Sequence, residues 1–320
     1  MTMRILITGA SGFVGSHLPQ ALARACGPDI QIIATSKTAG HHPAYGAVDA
    51  LDVLDKASVA QAIARHDPTH VVHLAGIAAP SAANANPRLA WDAHLGSALN
   101  LAEAIRAHAP GCWLLHVGTG MVYGDSAKSG QALDEETLLA PVDDYAASKA
   151  AADLALGAMA HRGLNCARFR PFNHCGPGQA DAFAIPAFAM QIARIEAGLA
   201  PPLLHVGNLD AERDFLDVRD VTDAYALAIR QTATLAPGTI FNIASGVPRR
   251  IGDVLESLLA LSTVKIGVVR DPARMRPSDL PRIVGNADRA RETLGWSPFR
   301  RFESTISEVL DEWRAQVARS

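Results

Sequence analysis

Met3-Arg4-Ile5-Leu6-Ile7-Thr8-Gly9-Ala10-Ser11-Gly12-Phe13-Val14-Gly15 is the stretch from which the rest of the chain is read. Ile5-Leu6-Ile7 is aliphatic without alternation, which predicts a strand buried on both faces, and 13–25 has the spacing of a helix. Three glycines, three residues apart, lie at the junction. Glycine there allows a tight turn, close approach of backbone to a bound group, and close packing of helix on strand. The first turn of the following helix offers unpaired N–H groups and a partial positive charge to a pyrophosphate. Gly9, Ser11, Gly12, Phe13, Val14 and Gly15 are therefore the expected cradle of a dinucleotide.

Working outward, the same alternation repeats. Strands are expected over 4–8, 31–35, 70–75, 113–117 and 164–169, with helices over 13–25, 57–65 and 89–108 and another starting near Tyr145. Nearly all-apolar strands separated by helices predict the α/β class, a doubly wound parallel sheet. After Arg170 the alternation lapses and Pro, Gly and Arg become frequent. The expected organisation is a dinucleotide-binding unit over 1–170. A smaller, substrate-binding C-terminal lobe over 171–320 follows, with some of its segments packing back on the first. Helices in that lobe are expected over 183–196, 221–231, 251–261 and 302–315.

Composition narrows the functional classes. With 29 basic and 32 acidic residues the formal charge is −3, which lacks the positive excess used to hold nucleic acid or an anionic membrane. No apolar run reaches the ~18 residues of a membrane span. Cys26, Cys112, Cys166 and Cys175 show no C-x-x-C spacing, and the first residues lack the sections of a signal peptide. A cytoplasmic protein with reduced thiols and no metal site is expected.

The second strand ends Ala34-Thr35-Ser36-Lys37. A carboxylate here, about 20 residues past the glycines, would bind the ribose 2′-hydroxyl of NAD. None is present. Two hydroxyls and a lysine suit a 2′-phosphate, so Ser36 and Lys37 point to NADP(H) as the preferred cofactor, with NAD(H) as the second option. Leu74-Ala75-Gly76 closes the next apolar strand beside the cofactor. The sharpest chemical signal is Tyr145-Ala146-Ala147-Ser148-Lys149. Residues four apart share a helix face. A phenol with pKa near ~10 is a poor acid–base group at neutral pH, and a cation one turn away is expected to lower it.

The G-x-x-G-x-x-G spacing, the Tyr145/Lys149 pair and the strand end Val117-Gly118-Thr119-Gly120-Met121-Val122-Tyr123-Gly124 together resemble the extended short-chain dehydrogenase/reductases. The resemblance runs through Arg170-Pro171-Phe172-Asn173, Arg213-Asp214-Phe215, Arg276-Pro277-Ser278-Asp279 and Leu294-Gly295-Trp296-Ser297-Pro298, essentially the whole chain. It implies a Rossmann-type fold and a catalytic set of Thr119, Tyr145 and Lys149. It also implies that Asp52 and Val53 lie against the adenine and Pro171 beside the cofactor. More narrowly, Asn173-His174-Cys175-Gly176-Pro177-Gly178-Gln179 is similar to the N-H-x-G-P-G-Q of GDP-4-keto-6-deoxy-mannose reductases. By that resemblance Thr119, Asn173, Arg213, Arg276 and Asp279 contact a GDP-linked 4-keto-6-deoxy-sugar, the arginines neutralising its pyrophosphate. Asp214 and Asp217 are the alternative partners for Arg213.

Two positions depart from the pattern. His94 replaces an asparagine and is given no catalytic role. Met121 stands where dehydratases of the superfamily carry an acid and GDP-fucose synthases a cysteine, and a thioether can do neither job. The implied activity is reduction of a C4 carbonyl, giving GDP-D-rhamnose. A nucleoside-diphosphate-sugar 4-epimerase holding NAD is the second reading, and a redox-sensing protein on the same fold the third. The helices over 89–108 and 145–159 are small and apolar round much of their circumference. Together with the resemblance, that predicts a homodimer through a four-helix bundle.

Overall fold

The computed structural model describes residues 2–275 and 280–319. Its main sheet has eight strands, in the spatial order Thr239–Ile243, Cys166–Pro171, Trp113–Val117, His70–His73, Met3–Thr8, Ile30–Ser36, Gly46–Ala50 and Gly40–His42. All neighbours are parallel except the last pair, a hairpin. The aliphatic strands divide their side chains between two cores. Ile5, Ile7, Val72 and Leu115 pack with Leu18 and Leu22 of helix Phe13–Cys26 and with Val221 and Tyr225 of helix Val218–Gln231. Leu6, Val71 and Leu114 face the other way, onto Val59 of Lys56–His66, Leu101 and Ile105 of Ser97–His108, and Leu156 of Asp144–Ala160. A sheet covered on both faces needs strands apolar at every position, and this is the doubly wound α/β architecture read from the sequence.

From Met3–Thr8 the chain winds outward to Ile30–Ser36 and Gly46–Ala50, then returns to His70–His73 on the opposite side of Met3–Thr8. That reversal opens a crevice beyond the carboxyl ends of Met3–Thr8 and His70–His73, the usual ligand position in such sheets.

Residues after Phe172 build a third core, from Phe188 and Ile192 of Ala184–Glu196, Leu255 and Leu258 of Ile251–Ala260, Ile306 and Val309 of Phe302–Val317, and Phe215. Over it lie two small sheets. One joins Pro248–Arg250, Glu212–Asp217, Arg282–Ile283 and Asn173–Cys175; the other pairs Leu203–Val206 with Gly267–Arg270. Cys166–Pro171 belongs to the main sheet and Asn173–Cys175 to the small one, so the chain changes layers within three residues at Phe172. It returns with Val218–Gln231, which covers the main sheet, and with Thr239–Ile243, which extends it.

Two expectations need amending. The hairpin Gly40–His42/Gly46–Ala50 had no apolar signal because its side chains are mostly exposed. The helix expected over 89–108 is a broken path: Pro80–Ala85, Pro87–Trp91, a π-helical turn Asp92–Gly96, then Ser97–His108. Pro80 and Pro87 each start a helix, where a missing N–H is harmless. The wider turn carries His94, which is buried.

Candidate active site

The glycine turn comes first. Gly9 has φ +70°, and a Cβ on it would lie 2.8 Å from the Ala75 nitrogen. A Cβ on Gly15 would lie 2.3 Å from the Ala10 carbonyl oxygen. The turn, the end of the neighbouring strand and the helix are thus in closest contact, and side chains are excluded. Helix Phe13–Cys26 begins at Gly12 with no side-chain cap and no acidic residue in its first turn. Its positive end is left to an anion, so these residues fit a dinucleotide pyrophosphate.

A cavity of about 1140 Å³ extends from this cradle into the C-terminal lobe. Of the expected cofactor residues, Gly9, Gly12, Phe13, Val14, Gly15, Lys37, Asp52, Val53, Leu74, Ala75, Gly76, Tyr145, Lys149 and Pro171 line it. Ser11 and Ser36 are outside that lining, and the Ser36 hydroxyl donates to the Thr38 carbonyl at 2.8 Å. The Lys37 side chain is 78% exposed and its Nζ is 3.8 Å from Asp52 Oδ2. It stands at the rim, where a second anion can compete for it.

Thr119, Tyr145 and Lys149 converge on the same cavity, and all three are buried. Thr119 follows strand Trp113–Val117; its hydroxyl oxygen accepts from the Met121 N–H at 3.2 Å and it hydrogen-bonds Tyr145. Helix Asp144–Ala160 is capped by Asp143, which accepts from the Ala146 N–H at 2.8 Å. Asn84 reinforces that end: Oδ1 accepts from the Tyr145 N–H at 3.2 Å and Nδ2 donates to Asp143 Oδ2 at 3.3 Å. Lys149 Nζ donates to the Val117 carbonyl at 3.0 Å.

Burial dominates the titration of both catalytic candidates. It pushes the Tyr145 phenol up to about 12, against a smaller lowering by Thr119, and draws Lys149 down to about 8. The expected lowering of the phenol by Lys149 is not seen: loss of water around Tyr145, and to a lesser degree the Asp143 charge, raise it, and the hydrogen bond with Thr119 is what opposes them. The phenol is held protonated, the form a proton donor needs.

His94 forms the wall behind Tyr145. Its Nδ1 is 2.7 Å from Ser148 Oγ, its Nε2 is 3.0 Å from the Ile77 carbonyl oxygen, and its ring meets the tyrosine edge-on, 5.6 Å between centroids. Burial lowers its pKa to about 3, so it is neutral. His94 thus ties helix Asp144–Ala160 to the loop after His70–His73. Neither this role nor the Asn84 clamp was legible in sequence, since the partners lie 17 to 61 residues apart.

At the other end, Asn173 and Arg213 line the cavity. Arg213 NH1 donates to the Glu212 and Leu280 carbonyls, each at 2.8 Å. The alternative partners are engaged elsewhere. Asp214 accepts from Ser245, Gly246 and Gly285, and Asp217 pairs with Arg219 at 2.6 Å. Arg276 and Asp279 lie outside the described residues; their neighbours Arg274, Met275 and Leu280 line the cavity. Met121 lines it too, packed against Tyr145. Among the described residues no group of acidic, histidine and cysteine side chains could hold a metal, the four cysteines are free, and no helix is long and apolar enough to cross a membrane.

A doubly wound sheet with a glycine cradle and a Thr-Tyr-Lys set at its switch point defines an NAD(P)-dependent oxidoreductase class. Residues 5–244 match the NAD dependent epimerase/dehydratase family, and the chain belongs to it. Within that family it is 35% identical, over 99% of both chains, to the GDP-6-deoxy-D-mannose reductase of Pseudomonas aeruginosa. The structure of RMD from Pseudomonas aeruginosa complexed with NADPH is 32% identical, covers 98% of this chain and 100% of that one, and superposes with TM-score 0.82. The Thermus thermophilus UDP-glucose 4-epimerase in complex with NAD is 28% identical, covers 98% and 99%, and gives 0.83.

Proposed function

We propose that this protein reduces the C4 carbonyl of GDP-4-keto-6-deoxy-D-mannose to GDP-D-rhamnose, with NADP(H) preferred and NAD(H) usable. The observation that carries the reading is one cavity holding the glycine cradle, Thr119, Tyr145 and Lys149 at one end and Asn173 and Arg213 at the other. The full-length likeness to a GDP-6-deoxy-D-mannose reductase supports the substrate, and the NADPH complex of its structural relative supports the cofactor.

The glycine cradle would hold the pyrophosphate of a reduced nicotinamide dinucleotide, which when bound would supply the hydride. The chain's own residues do the rest. Tyr145, protonated by virtue of burial, gives its phenolic proton to the carbonyl oxygen as it becomes an alkoxide. Thr119 donates a hydrogen bond to the same oxygen, and the Lys149 ammonium stabilises the phenolate left behind. Met121 supplies neither the acid of the dehydratases nor the thiol of the fucose synthases; 4-epimerisation would use the same Thr-Tyr-Lys set, and the full-length likeness to a reductase favours reduction over it. Arg213 offsets the charge of the substrate pyrophosphate.

We place the enzyme in the cytoplasm, where free thiols persist, and as a homodimer. Ala147, Ala151, Leu154 and Ala158 recur on one face of the catalytic helix, and Leu154 is 59% exposed. An apolar helix face of this kind suits the four-helix bundle of two copies; sedimentation at micromolar concentration checks it. The activity is tested with GDP-4-keto-6-deoxy-mannose and NADPH, which are consumed one for one. Proton NMR of the product shows the large H3–H4 and H4–H5 couplings of rhamnose. Small couplings would mean talose and correct the stereochemistry alone; activity confined to UDP-, CDP- or dTDP-linked keto-sugars would overturn the GDP assignment.

A further inference from the structure

The cofactor end carries a carboxylate beside Lys37. Asp52 Oδ2 is 3.8 Å from Lys37 Nζ, and both residues line the cavity that begins at the glycine turn. The backbone sets them side by side. Strands Ile30–Ser36 and Gly46–Ala50 run parallel with Ser36 opposite Ala50, and the Leu51 N–H donates to the Ser36 carbonyl at 2.7 Å. Lys37 and Asp52 follow directly, one and two positions beyond the last paired residues.

The carboxylate is held in place. Its Oδ1 accepts from the Leu54 N–H at 3.0 Å, and the Asp52 carbonyl accepts from the Asp55 N–H at 3.0 Å. The turn thus occupies Oδ1 and leaves Oδ2 toward the lysine. Lys37 is the freer partner, its side chain 78% exposed against 42% for Asp52. As a contact that stabilises the fold, an ion pair this open is worth little. Its consequence lies with the ligand. A phosphate that recruits Lys37 must draw it from Asp52 and accept a fixed negative charge beside its own oxygens. A ribose 2′-hydroxyl is neutral and meets no such obstacle.

We propose that Asp52 is a specificity-determining residue for the cofactor: its carboxylate competes with a 2′-phosphate for Lys37 and repels it, which limits the preference for NADPH and keeps NADH usable. This rests on the reading of Lys37 as the cation for the 2′-phosphate. Any contact of Asp52 with the adenine is common to both dinucleotides and cancels in the ratio of their constants.

The test uses the full chain and Asp52→Asn, which keeps the shape and an oxygen for the Leu54 N–H while removing the charge. Fluorescence titration gives Kd for NADPH and for NADH without turnover. In water, two unit charges about 4 Å apart change an equilibrium constant roughly fivefold, and the Kd ratio, NADH over NADPH, should rise by about that factor at low ionic strength. At about 1 M salt, where the screening length is ~3 Å, the rise should shrink below twofold. A ratio within twofold of native at low ionic strength, in a variant with a native melting curve, would overturn the proposal; so would a rise that salt leaves intact. Should Asp52→Asn not fold, Asp52→Ser also removes the charge and offers an oxygen to the turn, with the same two expectations. Lys37→Met separates this proposal from the reading beneath it. A ratio unmoved by that change strikes the assignment of the 2′-phosphate to Lys37, and this proposal with it. A ratio lowered there, with no rise in Asp52→Asn, strikes this proposal alone. Failure of the native protein to reduce the keto-sugar would strike the reductase reading and leave these constants untouched.

Discussion

The two ends of the cavity are built differently. At the proposed cofactor end, Gly9–Gly15, Leu74–Gly76, Thr119 and the Tyr145–Lys149 turn sit at the ends of strands in one parallel sheet or on helices packed against it. At the proposed substrate end, Asn173 and Arg213 come from strands of three and six residues and Leu280 from the segment just before Arg282–Ile283. The first end places reacting groups where two large cores over-determine the backbone. The second hangs recognition groups on a smaller core, where loops can vary without disturbing the chemistry.

If that division is right, substitutions at the two ends should change different constants. The largest effect is expected at the chemical end. Tyr145→Phe removes the proton donor and should lower kcat about 10²–10⁴-fold, with Kd for NADPH near native by fluorescence. Near-native turnover would break the comparison. At the substrate end, Arg213→Met removes a charge-assisted contact and should raise KM for the keto-sugar nucleotide roughly 10–100-fold, leaving the NADPH constant unmoved. A larger fall in kcat than rise in KM would mean that the two ends are not separable.

Smaller effects sharpen it further. Burial lowers Lys149 to about 8, so its charge is full below that pH and lost as pH rises through it. The Tyr145 phenol, near 12, stays protonated over the same range. Steady-state kcat/KM should therefore be flat below about pH 7 and decline above about pH 8, and Lys149→Arg should carry the declining limb upward by more than one unit, because a guanidinium stays charged. A limb that does not move assigns it to another group. At the rim, Lys37 is mostly exposed and already near Asp52. Water weakens its contact with a 2′-phosphate, so Lys37→Glu should reduce the NADPH-over-NADH ratio of kcat/KM only about tenfold. An unchanged ratio would move the choice of cofactor to other residues.

How much of this could be read in the sequence follows the same division. The glycine turn and the tyrosine–lysine pair are local, spaced three or four residues apart, and their spacing is their geometry. Arg213 could be named only by resemblance, with Asp214 and Asp217 as rivals for it; tertiary contacts with Ser245 and Arg219 removed both. His94 reads as a helix position until the π-helical turn directs it onto Tyr145.

By itself, then, the sequence determined the class of fold and singled out the candidate dinucleotide cradle and the candidate acid–base pair, because those depend on period and on neighbours within a turn. The tertiary structure alone decided the state of that pair. Whether Tyr145 is raised or lowered depends on a balance between burial and charge, and burial is set by helices and loops 32 to 61 residues away, through contacts such as Tyr145 with Asn84 and Lys149 with Val117. Desolvation is a property of everything that surrounds a group, and no spacing along the chain records it.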